Sequence, residues 1–124
     1  MPHSVKSRFT IFSPRLGADY LTQRFSWPVI ESASPDDKIP GYITAFDIGA
    51  GQHDRVGHHL AAVRNVLLLH ERDLQSLCDE DCKYALWVYY EFPANEGSFN
   101  VQSAIHSVFA MFRVEVIFHL KPLT

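Results

Sequence analysis

The chain has 124 residues, a size that one domain fills and that buries roughly two-thirds of the surface its unfolded form exposes. Hydrophobic residues make up 47% of it and charged residues 20%, a balance that excludes a disordered tail. The formal net charge is -3, with 14 acidic and 11 basic residues and no Lys/Arg run, which excludes the general phosphate affinity of a nucleic-acid binder.

The N-terminus carries Lys6 and Arg8 with no long apolar stretch behind them, so no signal peptide is expected. The longest apolar runs, Val66 to Leu69 and Ala85 to Tyr90, fall far short of the roughly 20 residues that cross a bilayer. Cys78 and Cys82 are too few for a disulfide scaffold and suit a reducing compartment. These features together predict a soluble, cytoplasmic protein.

In chain order, Val5 to Phe12 alternates and reads as a half-buried strand with Phe9 and Ile11 inward. Ser13 can cap a following helix with Pro14 at its first position, although Gly17 can delay the start. Leu16, Tyr20, Leu21 and Phe25 keep helical spacing up to Trp27-Pro28. Pro28 to Gly41, with three prolines among Ser and Asp, reads as a long loop. Tyr42 to Ile48 is a second strand, with Tyr42, Thr44, Phe46 and Ile48 on one face, and Gly49 and Gly51 end it in a turn that needs positive φ. The stripe Val56, Leu60, Val63, Leu67, His70, Leu74 and Leu77 predicts helix from about Asp54 to Cys78, with a break into two near His70.

Tyr84 to Phe92 has one charge in nine residues, is rich in aromatic and β-branched side chains and stops at Pro93. That composition predicts a strand in the middle of a sheet. Ala94 to Ser98 is a turn by composition, and Phe99 to Val101 is either a short strand or the lead into a helix. Ile105, Val108, Phe109 and Phe112 place that helix at about Gln102 to Phe112. Val114, Val116, Phe118 and Leu120 then alternate inward along a last strand that Pro122 ends.

The expected fold class is α/β in the broad sense, more closely α+β. It is a single domain over residues 1–124, built as a two-layer sandwich of an approximately four-stranded mixed or antiparallel sheet with helices mainly on one face. The segments Phe9 to Phe12, the helix around Leu21, Ala85 to Val88, Ser98 to Val101 and Val114 to Leu120 follow in an order that resembles a small bacterial family catalogued as domain of unknown function 4279. The pattern spans nearly the whole chain. It departs from the family where Arg24-Phe25-Ser26-Trp27-Pro28 replaces a Leu-Gly-x-x-Pro ending of the first helix. That family has no assigned activity, so the resemblance implies a fold and supplies no catalytic residues.

Two groups of residues carry chemistry. His53, His58 and His59 offer imidazoles, and Cys78 and Cys82 offer thiols, which are the ligand types of zinc. The two sets flank a helical region that would be roughly 30 Å long if continuous, so they share an ion only if the chain breaks near His70. His58 and His59, as helix neighbours, point about 100° apart. Solvated histidines and incidental thiols are the plainer reading.

The second group is the outer face of the sheet. If Leu86, Val88 and Tyr90 face the helices, then Trp87 and Tyr89 face away, joined by Ile117 and His119 from the last strand and by Phe12 from the first. An aromatic centre with a charged border is the composition of a protein interface, including one between two copies of the chain. The alternative is that the loop at 28–41 folds over it. Base stacking on an RNA-binding sheet is disfavoured by the negative charge and by the lack of the Gly-Phe motif such sheets carry. Nucleophile elbows and phosphate loops are likewise lacking, so no catalytic residue is assigned. The expected function is a non-catalytic binding module with a protein partner or itself as partner, without nucleic acid or membrane. A zinc protein or small enzyme using the His53–His59 and Cys78–Cys82 groups is the alternative.

Overall fold

A computed structural model of the chain describes residues 3–95 and 103–123. Within them lie one five-stranded sheet and four helices, a mixed α+β fold. The turn expected through Ser98, the segment Phe99 to Val101 and the helix start at Gln102 fall wholly or partly outside the described residues.

Strand β1 (Ser4–Ser13) forms as its alternation predicts, with Val5, Phe9 and Ile11 fully buried. At its end the Ser13 hydroxyl accepts the N–H groups of Arg15 and Leu16, at 3.2 and 2.9 Å. This bond turns the chain but starts no helix. Helix α1 (Ala18–Phe25) begins only after Gly17, which stands at the N-cap in an extended conformation. Ser26, in the left-handed region, closes it by donating its N–H to the Thr22 carbonyl.

The expected loop at 28–41 contains a strand, β2 (Val29–Ala33), exposed at all five residues and interrupted by a bulge between Val29 and Glu31. It pairs antiparallel with β3 (Tyr42–Phe46) and adds an edge to the sheet. Helix α2 (Val56–Leu69) and helix α3 (Glu71–Asp79) meet at His70, the break that the apolar run before it suggested. The His70 ring lies edge-on to Trp27 and Phe25, with centroids 4.8 and 5.5 Å away. Strand β4 (Lys83–Pro93), helix α4 (Ser103–Met111) and strand β5 (Val114–Leu123) complete the order.

The strands lie in the order β2-β3-β1-β4-β5, every neighbouring pair antiparallel except β4 with β5. The largely apolar strand β4 is interior, as its composition requires, but the middle position belongs to β1. β1 takes it because it pairs β4 from Ser4 to Phe12 and β3 from Phe9 to Ser13. Tyr84, Leu86, Val88 and Tyr90 are buried in one core with Phe9, Ile11 and Phe46 of the sheet and Leu21, Leu60, Leu67, Leu77 and Phe109 of the helices. On β5 the inward residues Val114, Val116 and Phe118 are only partly buried, and Leu120 is 50% exposed. β5 is the edge strand on that side, and its last residues run past the core.

Candidate functional site

The outer face assembles from the alternation of three strands. Across β1, β4 and β5 the register sets Lys6 beside Tyr89 and His119, and Arg8 beside Trp87 and Ile117. The Tyr89 ring lies 5.6 Å from the His119 ring, and the Arg8 guanidinium sits 5.8 Å from the Tyr89 centroid. Arg8 also reaches the Glu31 carboxylate on β2 at 3.2 Å. Phe12 shares the face but stands at its far end, opposite Lys83 and beside Gly41. Trp87 is 36% exposed and His119 is exposed, while Tyr89 and Ile117 are half-buried.

Rather than folding over this face, the segment after Pro28 widens it. Glu31, Ser32 and Ala33 of β2 form one wall of a groove of about 390 Å³ whose floor is Thr10, Ala45, Trp87 and Tyr89. Sequence reasoning missed these β2 residues because the strand itself was missed. A second cavity of about 330 Å³ adjoins it through Arg8 and Tyr89 and is lined by Lys6, Ser7, Ile30, Asp47, Gly51 and Gln52.

The histidines separate. His58 is exposed on α2, whereas His59 is fully buried beneath β1. Its Nδ1 lies 2.9 Å from Nδ1 of His53, and its Nε2 lies 2.7 Å from Oγ of Ser7. Burial, and then the neighbouring His53, push its pKa down to about 4, so the ring is neutral near pH 7. Ser7 was not among the residues singled out from the sequence. Its one signal is a hydroxyl in the otherwise apolar stripe Val5, Ser7, Phe9, Ile11.

The thiols lie elsewhere. Cys78 and Cys82 line one cavity of about 320 Å³ with Tyr84, Phe112 and Arg113. Both are free, and burial raises the pKa of each above the usual thiol value. Tyr84 donates its hydroxyl to the Leu74 carbonyl at 2.6 Å, and burial raises its pKa too. His53 pairs with Val5, while Cys82 precedes Lys83, the partner of Phe12. Seven residues of strand separate Val5 from Phe12, roughly 23 Å. The chain does break at His70, yet the two candidate ligand sets still hang at opposite ends of β1. Among the described residues no three His, Cys, Asp or Glu side chains are grouped to hold a metal.

No described helix is long and apolar enough to cross a membrane. Compared with known proteins, the chain matches no family model, no curated protein and no solved structure.

Proposed function

We propose that the chain is a binding module whose outer sheet face docks a protein partner, and that this partner is a second copy of the chain. The observation that carries the reading is Trp87, one-third exposed next to Tyr89 in a groove lined by strand residues alone. Trp and Tyr each bury on the order of 150–250 Å² when they find a partner, so this pair, one-third exposed and half-buried on an interior strand, still has area to bury. In this reading the helices form a single layer on the other side, and the chain works in the cytoplasm, where its two thiols stay reduced.

Two features favour self-pairing over a foreign partner. The border mixes signs almost evenly, with Lys6, Arg8 and Lys121 set among Glu31, Glu91 and Glu115. Such a border is complementary to itself under a twofold rotation, whereas a dedicated foreign partner is steered by a face of one sign. The size also fits. Three strands running about 33 Å and two running about 17 Å, spaced about 4.8 Å apart, cover on the order of 650 Å², near the roughly 800 Å² each partner buries in a stable complex.

Native mass spectrometry and sedimentation of the wild-type chain should give a dimer at micromolar concentration. The variant Trp87→Ser/Tyr89→Ser should run as a monomer with an unchanged far-ultraviolet spectrum. A wild-type monomer throughout the concentration range rules out self-pairing, and an unfolded double variant shows that both rings belong to the core instead.

A further inference from the structure

Parallel pairing brings two turns together at one end of the sheet. β4 and β5 start level, with Tyr84 opposite Val114, so the turns that lead into them lie side by side. The first turn closes α3. Asp81 donates its N–H to the Cys78 carbonyl at 3.2 Å and Cys82 donates to the Leu77 carbonyl at 3.0 Å, with Asp81 in the left-handed region at a φ of 65°. This pair of bonds folds the chain back across the last turn of its helix, and so returns Cys82 to the turn that carries Cys78. The second turn leads from α4 into β5. It offers the Phe112 carbonyl, which accepts the Cys78 thiol at 3.7 Å, and holds Arg113 at a φ of 55°.

Between the two turns is the cavity of about 320 Å³ that both cysteines line. Cys78 is half-buried and Cys82 is 6% exposed, and both are free thiols on its wall. A site of two thiols has a narrow metal chemistry. Zinc takes four donors, and although Asp81 and Glu115 line the same cavity, no three such side chains among the described residues are grouped to hold an ion. Cuprous copper is different: it is soft, it selects thiolates, and two of them in line satisfy it. Two metal–sulfur bonds of about 2.3 Å set the sulfurs roughly 4.6 Å apart, which asks less of the turn than the sulfur–sulfur bond of about 2 Å in a disulfide. The surroundings suit the same ion. Tyr84 and Phe112, both buried, supply an apolar wall that disfavours hard, hydrated cations. Lys83 and Arg113 line the cavity as well and balance Asp81 and Glu115, so the single negative charge of a copper held by two thiolates meets no excess of negative charge.

We propose that Cys78 and Cys82 hold one cuprous ion between them, at the turn from α3 into β4. On binding, each thiol gives its proton to solvent and two copper–sulfur bonds form. The copper stays cuprous throughout, so no oxidant or reductant takes part. The ion ties the end of α3 to the start of β4, and because only the folded chain presents the pair in this way, loading adds to the stability of the fold.

The test titrates the reduced full chain, without oxygen, with cuprous ion supplied as its coloured bathocuproine disulfonate complex, and counts the copper that the chain withdraws. One copper per chain is expected, with a melting temperature several degrees higher after loading. Cys78→Ser should compete for copper about a hundredfold less well or worse and gain nothing in melting temperature. Should that variant not fold, X-ray absorption at the copper edge of the loaded wild-type chain decides, and two sulfur neighbours alone are expected. Failure to withdraw copper, equal competition by Cys78→Ser, a shell containing nitrogen or oxygen, or displacement of the copper by an equal amount of zinc overturns the proposal. The site is separate from self-pairing through the outer face, so the count should be the same in Trp87→Ser/Tyr89→Ser, and in the wild-type chain should that prove monomeric. A copper that joins two monomers, one thiol from each, also overturns it.

Discussion

His59 shows what burial does to one side chain. Its ordinary pKa of 6.5 falls to about 4 in the folded chain, because the charged ring would lose water and face His53. Between those values the unfolded chain binds a proton that the folded chain refuses. The group therefore contributes stability in full above about pH 6.5, and that stability drains away as the pH falls toward 4. The loss should approach about 3 kcal/mol, since each tenfold difference in proton affinity between the two states is worth about 1.4 kcal/mol. Urea unfolding at steps from pH 7 to 4 measures it. Carboxylates titrate over part of the same window, so the decisive comparison is the slope against His59→Gln. The variant should be flatter between pH 6.5 and 4, and equal slopes would mean that His59 is not held neutral by the fold.

At the scale of elements, close backbone approach decides whether β1 and β3 can meet. Gly41 leads into β3, and a Cβ there would lie 2.7 Å from the Ser13 carbonyl oxygen and 3.2 Å from the Pro14 Cα. Neither atom belongs to a flexible side chain, so the chain itself must shift. Gly41→Ala should cost about 2 kcal/mol or more and lower the melting temperature by several degrees. An unchanged melting temperature would show that this turn has slack. Such contacts cannot be read from sequence, and the same limit explains β2. Val29 to Ala33 is exposed on both faces at the rim of the sheet, so it has no alternation to betray it and sits between prolines like a loop. Where one face is buried the pattern is plain: β1, β4 and the paired helices α2 and α3 follow their apolar stripes, whereas β3 buries Thr44, Ala45 and Phe46 in a row and ends at Phe46 rather than at Ile48. Trp27 shows the intermediate case. It was legible as the residue before Pro28, ahead of which α1 stops, but not as the ring that stacks on Phe25 at 4.5 Å and meets Phe9 and Phe46 edge-on. The outer face was legible because strand alternation fixes it, whereas Ser7 joined His59 only through tertiary packing.

For the whole molecule, the strand order sets which parts open together. β1 is hydrogen-bonded on both sides, and its partners come from distant parts of the chain: β3 about 30 residues on and β4 about 80. Removing β1 therefore dissolves the sheet, and those of its amides that bond to β3 and β4 can exchange only when the molecule unfolds globally. β4 is held in the same way between β1 and β5. β2 has one neighbour, a bulge and no buried side chain, so it can peel away without exposing core. Amide hydrogen exchange should accordingly rank β2 fastest among the strands, with β1 and β4 slowest and sharing one free energy equal to that of global unfolding. The β2 ranking bears on function because Glu31, Ser32 and Ala33 wall the groove beside Trp87. If two copies pair through this face, exchange in β2 should slow at concentrations where the dimer forms, while β1 and β4 gain only the stability that association adds. Exchange in β2 that ignores concentration while the mass doubles would place the interface on another surface, such as the β5 edge.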